Sequence, residues 1–146
     1  MAPAHPPPLL VVLDDALSWG ECARLQLLVE GLVEQSTPLE ESNVGDELMQ
    51  LAREYAGDLE LIHTLGFAIQ AHHSTELHYD RGEYAVIYYP HEAAAPLVLG
   101  RPIWTDIMVR PNRLVALDVT NVEHRQATPL TRRPRNSIVL KFRRWR

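Results

Sequence analysis

From residue 75 onward the chain alternates in side-chain character with a period of two, and this constrains the fold more than any other feature. Two is the period of a β-strand, because successive side chains of a strand point to opposite faces. Residues 83–89 are also rich in the β-branched and aromatic side chains that strands favour. The same patterns predict further strands at 75–80, 103–109, 113–119, 124–128 and 137–144. The stretch 91–100, rich in Ala and Pro, is predicted to be a loop.

The first half of the chain carries helical patterns instead. Ser18 is followed three residues later by Glu21, the spacing of a capping box, which predicts a helix from Ser18 to about Gln35. Apolar residues at amphipathic spacing predict a second helix at 46–55 and a third at 59–71. The remaining patterns predict a short strand and a polar loop, at residues 8–13 and 36–45.

The length of 146 residues suits one domain with a real core and is too short for two typical domains. We predict a single domain over 1–146 in three parts. Residues 1–8 are Pro-rich and flexible, 9–74 form mainly helical support, and 75–146 form a barrel core. Helices followed by many strands indicate an α+β fold, in which N-terminal helices pack on a double-stranded β-helix, the jelly-roll barrel of cupin-like proteins.

Composition bears on partners and location. The net charge of −5 provides no basic field that would attract nucleic acid or an anionic membrane. The single cysteine, Cys22, cannot form an internal disulfide and lies at a core position of the first helix. No apolar run has the length of a membrane span, and residues 1–8 lack the pattern of a signal peptide. We therefore expect a cytoplasmic protein without nucleic-acid or membrane partners; its oligomeric state is left open, with a homodimer allowed.

Three residues of the strand-rich half could bind a metal together. His78 and Asp80 are two residues apart, so in a strand they share a face and point at one place. His124, from a distant strand, would complete two imidazoles and one carboxylate on one face of a metal. This facial triad suits Fe(II) and leaves the other coordination positions open. An isolated H-x-D is weak support, because for His78 alone a half-buried strand histidine is the favoured interpretation.

A second pair of residues could bind a carboxylate. Arg135 and Ser137 lie eleven and thirteen residues beyond His124, and they too share a strand face. A guanidinium fork and a hydroxyl are suited to holding a carboxylate group. Arg133 is the alternative arginine, but only Arg135 has the R-x-S spacing at the head of the final strand.

The order of these features carries more information than any one of them. H-x-D opens a strand, a Tyr-rich strand follows, and then come the lone His124 and an R-x-S that leads the last strand. This order resembles the 2-oxoglutarate/Fe(II)-dependent dioxygenase family, particularly its prolyl-hydroxylase-like branch. The strand, turn and capped helix that open the chain also resemble the start of many such domains, so the resemblance covers nearly the whole sequence.

The resemblance implies cofactors and roles for the site residues. His78, Asp80 and His124 would bind Fe(II) and form the catalytic centre. The co-substrate 2-oxoglutarate would chelate this iron, with its far carboxylate on Arg135. Further hydrogen bonds to that carboxylate would come from Ser137 and from a tyrosine of the strand 83–89. The family pattern selects Tyr89, with Tyr88 as the fallback on the opposite face.

The resemblance also implies an activity, which is the use of O2 and 2-oxoglutarate to hydroxylate a C–H bond, with release of succinate and CO2. Halogenating members of the family have a small residue at the position of Asp80, so an intact Asp80 favours oxygenation. Desaturation, ring closure and epimerisation remain open. The short span from His78 to His124 leaves little room for a substrate lid, which favours a small-molecule, biosynthetic substrate.

Three alternatives remain at this point. A peptidyl-prolyl hydroxylase would use the same site. A catalytically silent barrel would bind a ligand or partner and keep the site residues for structure. A metal enzyme of related fold would need no 2-oxoglutarate. The R-x-S pair distinguishes the last of these, because only a 2-oxoglutarate enzyme needs that carboxylate site.

Overall fold

The computed structural model describes residues 6–70, 76–129 and 133–144. The helices are α1 (Trp19–Glu30), α2 (Glu41–Val44) and α3 (Asp46–Ala56). The strands are β1 (Leu10–Leu13), β2 (Ser36–Pro38), β3 (Glu60–Ile69), β4 (Glu83–Tyr89), β5 (Ala93–Leu99), β6 (Thr105–Val109), β7 (Arg113–Leu117), β8 (His124–Gln126) and β9 (Arg135–Arg143). None of the helices in the described residues is long and apolar enough to cross a membrane.

The strands form two antiparallel sheets. The larger sheet has six strands in the order β1-β7-β4-β9-β3-β2, and the smaller has three in the order β6-β5-β8. Neighbours in both sheets are antiparallel. The chain is therefore mainly antiparallel β-structure of the jelly-roll kind, with its helices early in the sequence, which confirms the predicted class in this coarser form.

Alternation along the central strands separates two cores. On β4, Tyr84, Val86 and Tyr88 pack with α1 and α3 in an outer core. The alternate residues of β4 from Ala85 to Tyr89 point the other way and pack against the smaller sheet in an inner core. The sequence predicts that Tyr88 and Tyr89 lie on opposite faces of this strand, and the structure confirms it. Because both faces of β4 are buried, nearly every one of its residues is apolar.

The prediction of a third helix at 59–71 is wrong. The chain from Glu60 to Ile69 forms strand β3, which lies between β9 and β2 in the larger sheet. Its burial alternates, with Thr64, Gly66 and Ala68 buried. An apolar run of this length fits a buried strand as well as a helix, and here pairing with β9 along its whole length decides for the strand. Residue 71 lies outside the described residues.

The prediction of a loop at 91–100 is also wrong, because Ala93–Leu99 forms β5. Ala and Pro are poor strand formers, so composition points away from a strand. Pro96 is tolerated because the pairing with β6 is irregular at this point. Its carbonyl oxygen accepts hydrogen bonds from the Ala127 N–H and from Arg135. β5 is the centre of the smaller sheet, so this stretch forms one wall of the inner core.

The remaining elements differ from their predicted bounds by small amounts. α1 ends at Glu30, five residues before the predicted end at Gln35. The polar loop predicted at 36–45 contains the short β2 and α2. The part of the predicted strand 75–80 that is described is reduced to one bridge between His78 and His124. The other strands end within two residues of their predicted bounds.

The predicted cap of α1 forms, with a different second partner. Ser18 Oγ accepts a hydrogen bond from the Glu21 N–H at 3.3 Å, as a capping box requires. Glu21 does not return the bond, because its carboxylate pairs with Arg24. Glu47 of α3 takes that role and accepts from the Ser18 N–H at 2.6 Å. The N-terminus of α1 is thereby fastened to the first turn of α3.

Asn112 joins the helical layer to strand β4. It is fully buried in the turn before β7, with a left-handed φ of 63°. Its Oδ1 accepts from the Leu17 N–H at 3.0 Å and from the Tyr88 hydroxyl at 2.8 Å, and its Nδ2 donates to the Leu17 carbonyl at 2.8 Å. Three polar groups in the core therefore depend on this one side chain.

Asn112→Ala is expected to lower the free energy of unfolding by about 3 kcal/mol, because each buried group left without a partner costs roughly 1–3 kcal/mol. Urea denaturation followed by circular dichroism measures this change. Asn43→Ala, at an exposed position of α2, is the matched control and should change it by less than about 0.5 kcal/mol. An equally small effect at Asn112 would contradict the role given to this side chain.

Candidate metal centre

Backbone pairing brings the three predicted metal ligands together. The His78 N–H donates to the His124 carbonyl at 3.0 Å, and the His124 N–H donates to the His78 carbonyl at 2.9 Å. The Asp80 N–H donates to the Val119 carbonyl at 2.8 Å and fixes the position of the carboxylate-bearing residue. His78 and Asp80 are two residues apart, so their side chains lie on the side that faces His124.

The side chains of the triad converge. His124 Nε2 lies 3.1 Å from Asp80 Oδ2, and His78 Nε2 lies 3.6 Å from Asp80 Oδ1. One ligand atom from each of the three residues lies within 4.8 Å of the others. Side-chain exposure is 9% for His124, 28% for Asp80 and 45% for His78, so the cluster is closed at His124 and open to solvent at His78.

Both imidazoles are held by the nitrogen that faces away from Asp80. His78 Nδ1 lies 2.7 Å from the Glu76 carbonyl oxygen, and His124 Nδ1 lies 2.9 Å from the Val122 carbonyl oxygen. A carbonyl oxygen only accepts hydrogen bonds, so each Nδ1 carries the hydrogen. The Nε2 atoms face Asp80, and a bound metal would take their lone pairs in place of the hydrogen with which they contact that carboxylate. Backbone carbonyls orient metal-bound histidines in this same way.

The charges around Asp80 keep its carboxylate ionised. Burial acts to raise the pKa of Asp80, but the hydrogen bond with His124 and the positive charges of Lys141 and the two histidines outweigh it. The pKa therefore lies below its ordinary value. With a metal in place of the Nε2 hydrogens, two imidazole lone pairs and an ionised carboxylate would form its donor set. Such a set suits a divalent first-row metal and is the donor set of Fe(II) facial triads.

The triad lies on the wall of a cavity of about 200 Å³ between the two sheets. Its polar lining comes from the three ligands and from three further side chains, Gln35, Gln126 and Lys141. Its apolar lining comes from β3, β4, β9 and the chain before β8, through Phe67, Ile69, Ala85, Ile87, Val119 and Val139. A reacting molecule would therefore meet a mainly apolar wall with the metal ligands on one side.

Arg135 is buried, with 1% of its surface exposed, and lies near the inner core. Its Nη1 donates to the carbonyl oxygens of Pro96 at 2.7 Å and Ala127 at 3.2 Å, and its Nη2 donates to the Tyr89 hydroxyl at 3.1 Å. The Tyr89 hydroxyl in turn donates to Gln126 Oε1 at 3.3 Å. Gln126 lines the cavity, so a chain of hydrogen bonds connects the guanidinium to the cavity wall.

Arg135 Nε is buried and has no hydrogen-bond partner among the described residues. None of the ion pairs formed within the described residues involves this guanidinium. An unpaired charge in a protein interior costs several kcal/mol unless an anion compensates it. The donor chemistry of Arg135 therefore fits a bound carboxylate.

The structure separates the candidate tyrosines and arginines. Tyr89 lies in the inner core beside Arg135, whereas the Tyr88 hydroxyl donates to Asn112 in the outer core. Arg133 is exposed, and its guanidinium lies 3.2 Å from the His91 ring. Ser137 is buried and shares the face of β9 that carries Arg135. The pairing of Tyr89 with Arg135 is thus a geometric fact, while their roles stay predictions.

Sequence reasoning missed Gln126 and Lys141. Gln126 is two residues beyond His124 on β8, so the alternation that places the ligand also places the amide on the same side. Lys141 continues the series of Arg135 and Ser137 along β9 at intervals of two. When the period of two is continued beyond the motif residues, it therefore predicts that both side chains lie on the same face as the site.

Comparison with known proteins gives structural relatives and no sequence relatives. No family model and no curated protein matches the sequence. Among solved structures, a viral collagen prolyl hydroxylase from Paramecium bursaria Chlorella virus-1 superposes with a TM-score of 0.68 at 13% identity, over 97% of this chain and 95% of that one. The chain shares this fold.

Two further structures agree with that result. Iron-bound HygX from Streptomyces hygroscopicus has a TM-score of 0.68 at 14% identity, over 94% of this chain and 85% of that one. SnoN, a non-haem α-ketoglutarate-dependent epimerase of nogalamycin biosynthesis, has a TM-score of 0.69 at 13% identity, over 92% and 76%. HygX has also been solved with nickel and 2-oxoglutarate, and SnoN with Fe3+, α-ketoglutarate and nogalamycin RO. The resemblance predicted from the sequence is confirmed at the level of the fold.

Proposed function

We propose that the protein is a non-haem Fe(II)/2-oxoglutarate-dependent oxygenase, built on a double-stranded β-helix. The observation that carries this proposal is the convergence of His78, Asp80 and His124 at the wall of a cavity between the two sheets. When bound there, Fe(II) with 2-oxoglutarate and O2 would supply the oxidation of a C–H bond, with release of succinate and CO2.

The chain's own residues have defined tasks in this proposal. The three ligands hold the metal through two Nε2 atoms and one carboxylate, and the carbonyl oxygens behind the imidazoles keep the rings oriented. Arg135 and Tyr89 hold the far carboxylate of 2-oxoglutarate, with Ser137 beside them. The buried Nε of Arg135 supports this assignment, because a carboxylate would satisfy it. The apolar wall limits access of water to the reacting groups.

A small-molecule substrate is the version that the cavity supports best. The cavity has a volume of about 200 Å³, which lies below the 300–1,000 Å³ typical of small-molecule sites. A space of this size favours a small molecule over a bulky one, and a larger substrate could place only its reacting end there. The second candidate is a peptidyl-prolyl-type protein hydroxylase. It is favoured by the open side of the site, where His78 is 45% exposed on its side chain and Tyr79 is 42% exposed.

The test is 2-oxoglutarate turnover by wild-type protein, Tyr89→Phe and Tyr88→Phe, measured as succinate release with Fe(II) and O2. Tyr89→Phe is expected to raise the KM for 2-oxoglutarate about tenfold, because a hydrogen bond to a charged group contributes roughly 1.5–3 kcal/mol. Tyr88→Phe is the control and should leave this KM unchanged, since its hydroxyl faces Asn112. Folded, iron-loaded wild-type protein that neither binds 2-oxoglutarate nor releases succinate would refute the proposed function. An equal KM for both variants would refute only the assignment of Tyr89.

A further inference from the structure

We infer that Lys141 binds an anionic group of the substrate, a carboxylate or a phosphate ester, on the wall of the metal cavity. This inference rests on the proposed function and narrows its substrate class to small molecules that carry a negative charge. The side chain lies on β9, lines the cavity with the three metal ligands, and is partly exposed at 22%.

The position of Lys141 separates it from the co-substrate site. Arg135 and Lys141 share one face of β9 and are six residues apart. At a rise of about 3.3–3.4 Å per residue, their Cα atoms are roughly 20 Å apart along the strand. Lys141 lies instead in the cavity that the three metal ligands line. Of the two cations on this strand face, Lys141 lines the cavity directly, whereas Arg135 is buried away from it and is connected to its wall through Tyr89 and Gln126.

Lys141 is the charged group of the cavity wall that is available to a substrate. Among the described lining residues, Asp80 and Lys141 are the two with a formal charge when the histidines are neutral. Asp80 is committed to the metal. The other lining residues are two amides and six apolar side chains, which offer no other charged group to a reacting molecule.

Glu83 forms an ion pair with the Lys141 ammonium that leaves part of its hydrogen-bonding capacity unused. Glu83 Oε2 lies 3.3 Å from Lys141 Nζ, on the neighbouring strand β4. Glu83 Oε2 is buried and forms no well-aligned hydrogen bond within the described residues, so the contact is an ion pair of imperfect geometry. An ammonium has three donors, and one carboxylate in this arrangement leaves others for a second acceptor. A lysine ammonium also suits carboxylate and phosphate oxygens alike, because it acts as a point charge.

The test uses protein loaded with Mn(II) and 2-oxoglutarate and a series of probes that share one alkyl chain. Pentanoate and pentyl phosphate are the anionic probes; pentanamide and pentylamine are the neutral and cationic ones. Paramagnetic Mn(II) broadens the proton resonances of a probe that enters the cavity, so the measurement does not depend on turnover. We expect at least one of the two anions to bind at least about tenfold more tightly than the amide and the amine. The anion that binds more tightly identifies whether Lys141 prefers a carboxylate or a phosphate group.

Lys141→Met is expected to remove this preference and to leave 2-oxoglutarate binding unchanged. Arg143→Met is the matched control, because Arg143 is the next residue on the same face of β9 but is exposed and pairs with Glu60. That variant should keep the preference.

Three results would overturn the inference. They are a wild-type protein that binds no anion in preference to the amide, an equal loss of preference in Arg143→Met, and a loss of 2-oxoglutarate affinity in Lys141→Met that matches the loss of probe affinity. Failure of the proposed function itself would be distinct, because the Mn(II)-loaded wild-type protein would then not bind 2-oxoglutarate.

Discussion

His124→Ala is expected to weaken Fe(II) binding by at least about a hundredfold and to abolish 2-oxoglutarate turnover. His124 is the most enclosed ligand of the triad, and its Nε2 lies 3.1 Å from Asp80 Oδ2. Four-ligand structural zinc sites bind with about 10–16 kcal/mol, so one ligand contributes roughly 3 kcal/mol, which is about two orders of magnitude in affinity. Iron content after gel filtration and succinate release measure the two effects.

The control for this variant is His63→Ala. His63 is an exposed residue of β3 that lies outside the cavity lining, so its loss should change neither iron content nor turnover. Equal iron content in His124→Ala and wild-type protein would contradict the metal centre, provided that circular dichroism shows both to be folded.

Arg135→Met is expected to raise the KM for 2-oxoglutarate about a hundredfold with a smaller effect on kcat. The substitution keeps much of the side-chain volume and removes a buried charge whose hydrogen bonds to a carboxylate contribute roughly 1.5–3 kcal/mol each. Iron content should stay at the wild-type level, because Arg135 contacts Tyr89 and two carbonyl oxygens rather than the triad. Co-substrate binding and metal binding are thereby separated in one variant.

Two further variants sharpen this prediction. Arg135→Lys keeps the charge and loses the guanidinium fork, so its KM should lie between those of wild-type protein and Arg135→Met. Arg133→Met should behave as wild-type protein, because Arg133 is exposed beside His91. If Arg135→Met retained the wild-type dependence on 2-oxoglutarate, the assignment of Arg135 would be wrong.

The two faces of the central strands have different tasks: one face builds the core under the helices, and the other builds the candidate site. Residues of β4 and β9 that face outward build the core under the helices, as Tyr88 and Ile138 do. Residues that face inward build the site, as Tyr89, Arg135 and Lys141 do. A register slip of one residue would exchange the two sets, so the cores on both faces fix the register that the site requires.

The same alternation of side chains between the two faces of a strand explains how much of the site the sequence predicts. His78 and Asp80, and likewise Arg135 and Ser137, are two residues apart, and this local relation survives any arrangement of the strands. The structure then brings His124 to the first pair and Tyr89 to Arg135. The roles of Arg135, Ser137 and Tyr89, the single domain over 1–146, the cytoplasmic location and the homodimer stay predictions.

The errors concern stretches whose structure depends on distant partners. The residues of β3 are apolar enough for a helix, and they form a strand because β9 offers a long edge for pairing. Ala93–Leu99 has weak strand propensity, and it forms a strand because both β6 and β8 pair with it. Neither partner can be read from the local sequence, and in each case tertiary pairing overrides local preference.

The most direct test of the central claim is the anaerobic absorption spectrum of the protein with Fe(II) and 2-oxoglutarate. We predict a visible metal-to-ligand charge-transfer band that requires protein, Fe(II) and 2-oxoglutarate together and is absent from His124→Ala. Folded wild-type protein that binds Fe(II) but develops no band when 2-oxoglutarate is added would contradict the claim.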